Sequence, residues 1–197
     1  MTEFIPYQQW LQNVTHPADA ICRTEAIYGY EKGKYEISVR FRPSVIAEIG
    51  VRLGYSAHAF LSGAGENPSY FGYDVCGGGF GGTSIAGFDF VDKMLKRNFP
   101  SLAPSLMKVD TQTISAFAIS GVDLFHVNGN HSYDGALHDM RISWSTIKSG
   151  GVMLVDDYDF IMEVKMAVDQ FIRERAADIQ HHEYLKTYRG DVIIIKR

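Results

Sequence analysis

The stretch "VIAEIGVRLGYS", residues 45–56, runs from a short apolar segment through a glycine turn into the start of a helical pattern. Strand, glycine turn and helix in that order form the opening unit of an α/β fold. Glycine at 50 and 54 lets the backbone pass close to a ligand, and the helix N-terminus turns its free amides toward the same place. A turn built for a dinucleotide pyrophosphate follows G-x-G-x-x-G, whereas position 52 is Arg and position 55 is Tyr, which disfavours a nicotinamide-dependent oxidoreductase.

Working outward, apolar runs keep alternating with helical stretches. "VIAEI" precedes a helix after Gly54, "SYFGY" a helix near 88–98, and "LMKV" the segment "TQTISAFAI", which the alternation predicts as helical. "VDLFHV" precedes a helix with Leu137, Met140, Trp144 and Ile147 on one face. "GVMLV" precedes a helix with Val164, Ala167, Val168, Phe171 and Ile172. This pattern predicts an α/β fold, a doubly wound, mostly parallel Rossmann-like sheet of about seven strands. At the end, "YLKTY" and "DVIIIKR" are separated only by Arg189 and Gly190, too short for a parallel crossover, so the last strand is expected to be an antiparallel hairpin strand. Before the core, Tyr7, Trp10, Leu11 and Val14 recur at helical spacing within 4–14, an extra helix that would cap a site or pair subunits into a homo-oligomer. The expected organisation is a single domain over 1–197, with a helical cap at 1–42 and the core at 43–197.

At 197 residues, 46% hydrophobic and 21% charged, the chain has the size and composition of one globular domain, which must then carry every ligand site itself. No apolar run reaches the roughly 20 residues that span a bilayer, and "MTEFIPYQQW" has no signal-peptide pattern, so a cytoplasmic protein without a membrane partner is expected. Cys22 and Cys76 carry no motif. The net charge of -4 offers no footprint for nucleic acid. The biased segment "CGGGFGGTSIAG", 76–87, holds six glycines and reads either as a mobile surface loop or as a lid over bound ligand.

"EIGVRLGYS", "YFGYD", "VDLFHVNGNHSYDGAL" and "GGVMLVDDY" together resemble, in order and spacing over about 43–172, class I S-adenosylmethionine (SAM) methyltransferases. The likeness is to the small-molecule O-methyltransferases of the catechol and antibiotic-sugar type. The resemblance implies SAM as cofactor, with Glu48 and Gly50 flanking its methionine part and Gly54 and Ser56 in the same turn. Asp74, 24 residues after Gly50, would hold the ribose, as strand-end carboxylates do in doubly wound nucleotide sites. Asp110 and Thr111 are adenine-side candidates, or simply a strand end and a helix cap. The implied activity is O-methylation of a small hydroxylated molecule, such as a sugar or secondary metabolite.

Methyl transfer to a hydroxyl needs the nucleophile aligned and its proton removed, and a divalent cation can serve both ends. Similar enzymes hold Mg²⁺ with a carboxylate after the fourth strand and an acidic pair after the fifth. Here the pair is Asp156 and Asp157, but the first position is Asn128, and Asn130 stands where some relatives keep a general base. Amide oxygens do ligate hard cations, so a Mg²⁺ site of Asn128, Asp156 and Asp157 is one expectation and a metal-free site the other. An amide takes no proton at neutral pH, which leaves His131 and Asp156 beside Asn130 as the catalytic candidates. Asn128 also borders the expected cofactor pocket. The alternative function is a SAM-binding protein of this fold that has lost methyl transfer, motivated by asparagine at both 128 and 130.

Overall fold

The computed structural model describes residues 25–77, 85–187 and 189–197. The helical stretch expected at 4–14 and residues 78–84 of the glycine-rich segment lie outside the described residues. The elements are α1 (Glu25–Phe41), β1 (Val45–Ile49), α2 (Tyr55–Gly63), β2 (Ser69–Asp74), α3 (Ile85–Asn98), β3 (Ser105–Lys108) and a 3-10 turn at Thr111–Thr113. After them come β4 (Val122–Val127), α4 (Tyr133–Trp144), β5 (Ile147–Val155), α5 (Met162–Glu174), β6 (Ile179–Leu185) and β7 (Asp191–Lys196).

The sheet order is β3-β2-β1-β4-β5-β7-β6. β1 through β5 pair in parallel, and β7 runs antiparallel to both β5 and β6. Chain direction across the sheet reverses between β1 and β4, and the crevice beyond the carboxyl ends of such neighbouring strands is where open α/β sheets take ligands.

Side chains alternate across the strands, so each strand feeds two cores. Ala47, Ile49, Phe125 and Val127 point to the face covered by α4 and α5, where Trp144 and Phe171 meet edge to face at 5.4 Å. Ile46, Leu124, Val152 and Ile193 point to the opposite face, beneath helices that bring Ile37, Phe60, Val91 and Leu95. On this second face the strand ends turn polar. Glu48, His126, Asp156 and Asp191 continue the rows begun by Ile46, Leu124, Leu154 and Ile193, and all four are buried. Where α1 crosses α2, Gly63 lets the helices close up. A Cβ there would stand 2.6 Å from the Tyr35 carbonyl oxygen, and the Ser38 hydroxyl donates to the Phe60 carbonyl at 2.6 Å.

Three sequence expectations give way. "TQTISAFAI" forms only the single 3-10 turn, because Asp110 accepts the Gln112 N–H and Thr113 bonds back to the Asp110 carbonyl. Beyond it the chain extends, so that Phe117 packs on Tyr73 and Phe125 at 4.4 and 5.4 Å. Ile147 belongs to β5 rather than to the preceding helix, which ends at Trp144. The β6–β7 hairpin is present, but β6 stops at Leu185, leaving 186–190 as the connection in place of two residues.

Candidate functional site

The turn after β1 is shaped by backbone that only glycine accepts easily. Gly50 has φ 83°, and a Cβ on it would lie 1.8 Å from the carbonyl oxygen of Asn128, so the ends of β1 and β4 close on one another there. Gly54, φ 82°, caps α2 without any side-chain hydrogen bond, so the first-turn amides of α2 have no capping side chain at the crevice. Arg52 also adopts positive φ, 48°, and its N–H donates to the Asp74 carboxylate at 2.8 Å. The other Asp74 oxygen accepts the Cys76 N–H at 2.7 Å. Asp74 therefore ties the end of β2 to the glycine turn, and each of its oxygens retains a further acceptor lone pair.

Glu48 is placed differently from the residues around it. It is fully buried, and its oxygens accept from the Ser56 hydroxyl, the Tyr70 hydroxyl and Nδ1 of His126 at 2.9 Å. Glu48 and Ser56 thus form the floor beneath the turn. Thr111 is likewise directed inward, its hydroxyl donating to Asp139 at 2.7 Å, while Asp110 caps the 3-10 turn.

Asp139 went unnoticed in the sequence, where an acid between His138 and Met140 on a helix reads as solvated. It is buried, accepts from Thr111 and Gln112 through one oxygen, and accepts the Asn130 N–H at 3.2 Å through the other. Burial raises its pKa. It pins the loop after β4. Asn130 is a brace in that loop: its side-chain amide oxygen accepts from the Ser132 N–H and hydroxyl at 2.9 and 2.8 Å, and Ser132 in turn caps α4.

Asn128, His131, Asp156 and Asp157 come together at the ends of β4 and β5. The Asn128 amide donates to Asp156 at 3.0 Å, and its oxygen lies 3.2 Å from Nε2 of His131. The same ring nitrogen is 3.4 Å from Asp157, whose other oxygen accepts from Arg189 at 3.2 Å. Burial, joined by Arg189, outweighs the two acids and lowers the His131 pKa, which favours the neutral ring able to accept a proton. Burial and the neighbouring Asp156 raise the pKa of Asp157, which sits at φ 64°.

Lys34 and Asp191 complete the cluster, and neither stood out in the sequence. The Lys34 side chain is fully buried, ion-paired with Asp191 and 3.5 Å from Asp156. Burial alone would raise the Asp156 pKa, but Lys34 and His126 overcome it and hold the carboxyl well below the usual range. Asp191 is pushed up to about 6, by burial first and then by Asp156. Asp156 thereby meets Lys34, the Asn128 amide, the Asp157 N–H, the Tyr30 hydroxyl and Asp191. Four lone-pair sites are fully engaged by such a set. A divalent ion between Asn128, Asp156 and Asp157 would face carboxylates already matched by Lys34 and Arg189, so these residues do not fit a resident Mg²⁺. Among the described residues no three His, Cys, Asp or Glu side chains converge as a metal site.

Comparison with known proteins places this fold among those of methyltransferases. The model of a family described as a methyltransferase domain matches residues 47–158, which span β1 to the loop after β5. No curated protein matches the sequence significantly. Among solved structures, the O-methyltransferase from Bacillus cereus in complex with SAH is similar with a TM-score of 0.66 at 14% identity, covering 97% of both chains. The SAH-bound Podospora anserina methyltransferase PaMTH1 gives 0.65 at 14% identity over 100% of both chains. TomG from Streptomyces achromogenes, an O-methyltransferase of tomaymycin synthesis in complex with SAM, gives 0.63 at 14% identity over 95% of this chain and 86% of its own. With the family model covering more than half of its length and the class I sheet order intact, the chain belongs to the methyltransferase-domain family.

Proposed function

We propose that the protein binds SAM in the crevice between β1 and β4 and transfers its methyl group to a hydroxyl of a small molecule. One observation carries this: the glycine turn at 50–54, with no room for a Cβ at Gly50, stands directly beside the Asp74 carboxylate at the end of β2. Backbone approach and a sugar-binding acid are what an adenosine ligand requires there. The O-methyltransferases that share the fold support the hydroxyl as acceptor.

In this site His131 takes the hydroxyl proton, because it is neutral, partly accessible and held beside Asn128 and Asp157. Asn128 and Asp157 orient the ring, Asp74 holds the ribose, and Gly50 and the α2 N-terminus admit the methionine part. Glu48, Ser56 and Thr111 act from below by fixing the turn and the loop rather than by touching ligand. Asp110 lies at the adenine side. With two cysteines outside any disulfide framework, the protein works in the cytoplasm, on small-molecule acceptors. The test is transfer of label from methyl-labelled SAM to a panel of sugars, phenols and hydroxylated secondary metabolites. Label in a methyl ether of at least one acceptor is the expected result, and SAM binding with no transfer to any acceptor would favour a binding protein of this fold.

A further inference from the structure

We infer that Lys34 takes the electrostatic place of a divalent cation at the acidic pair, so that this methyl-transfer site works without metal and Asn128 serves as a hydrogen-bond hub rather than a ligand. The inference deepens the proposed function, since it concerns the same site.

Three observations carry it. First, the Lys34 ammonium arrives from α1, outside the strands that build the rest of the site, and no part of its side chain is exposed. A buried ammonium without partners is prohibitively costly, so its position is fixed by Asp191 and Asp156. Second, the amide of Asn128 donates to Asp156 at 3.0 Å while its oxygen faces His131, so it links base and acid instead of joining them around an ion. An aspartate at 128 could not donate that bond. Third, the second acid, Asp157, is matched by Arg189 on the opposite side. Each acid of the pair therefore has a cation of the chain beside it, Lys34 being shared between Asp156 and Asp191, and asparagine at 128 adds no further negative charge. Lys34 is a positioning residue in this scheme. It holds Asp156, which holds Asn128, which holds His131.

Mn²⁺ alone is the probe, followed by loss of the free-ion signal in electron paramagnetic resonance, so neither cofactor nor turnover enters the result. The wild-type chain is expected to leave the signal undiminished at millimolar protein, and saturable uptake of one ion per chain overturns the inference. The double variant Lys34→Met/Asn128→Asp removes the built-in cation and restores the third carboxylate, and uptake of one Mn²⁺ is expected. A folded double variant that takes up none shows that Lys34 is not what excludes the ion. Should the double variant fail to fold, Asn128→Asp alone decides. With Lys34 still in place it is expected to take up no Mn²⁺, and uptake overturns the inference. Methyl transfer with SAM is measured separately, so metal-dependent transfer refutes this inference while sparing the proposed function, and absence of transfer does the reverse.

Discussion

The ammonium of Lys34, on a helix that precedes the first strand, lies 3.5 Å from the carboxylate of Asp156 at the end of the fifth. That contact joins α1 to the polar cluster at the strand ends and explains why the polar ends of four strand rows tolerate burial. Glu48, His126, Asp156 and Asp191 would be a costly strip beneath a helix without a cation set among them.

Gly50→Ala is expected to damage both fold and cofactor binding. A left-handed backbone costs an L-residue roughly 1–2 kcal/mol, and the new Cβ would sit 1.8 Å from the Asn128 carbonyl oxygen, so the ends of β1 and β4 must move apart. Chemical denaturation should show a loss of more than about 2 kcal/mol, and SAM affinity should fall at least tenfold. An unperturbed midpoint would mean that the turn is not as tight as described.

His131→Gln is expected to lower kcat by about 10²-fold or more, the usual contribution of a general base, with SAM affinity nearly unchanged. Because burial depresses the pKa of His131 below its ordinary value of 6.5, the wild-type rate should be flat above neutrality and decline only as pH falls below that value. A rate still climbing between pH 7 and 9 would assign the base elsewhere.

His58 provides a separate check on the packing beneath α2. It is fully buried beside Phe99, and burial lowers its pKa to about 3. The folded pKa is thus below the unfolded one, so the unfolded chain binds the extra proton. The stability held above pH 6.5 is then lost progressively as pH falls toward 3. Urea midpoints of His58→Leu at pH 7, 5.5 and 4.5 should decline less steeply than those of wild type. Parallel declines would place the titrating group elsewhere.

Much of this was legible in the residues. Short apolar runs closed by Gly50, Asp74, Asn128 and Asp156 marked β1, β2, β4 and β5, because buried parallel strands leave few polar positions to confuse the pattern. Gly50 and Asp74 stood out for the same reason, as residues whose chemistry is unusual at a strand end. "TQTISAFAI" misled because its periodicity is shared by any segment that buries one side, and Phe117 buries itself from an extended loop. Lys34, Asp139 and Asp191 could not be seen. "EKGKYEI" reads as a solvated helix, and which lysine meets which acid depends on a contact across 157 residues of chain. Glu48, which the resemblance sets beside the methionine part of SAM, is enclosed by Ser56, Tyr70 and His126, contacts that depend on which face of β1 the helices cover.

The most direct measurement of the central claim is a calorimetric titration of wild type and Asp74→Ala with SAM, with NAD as the control ligand. The account predicts one SAM site per chain, no heat with NAD, and a loss of about 1–3 kcal/mol in binding for a folded Asp74→Ala, the cost of a buried hydrogen bond left unmade. Equal SAM affinity in the two proteins, or binding of NAD in place of SAM, would contradict it.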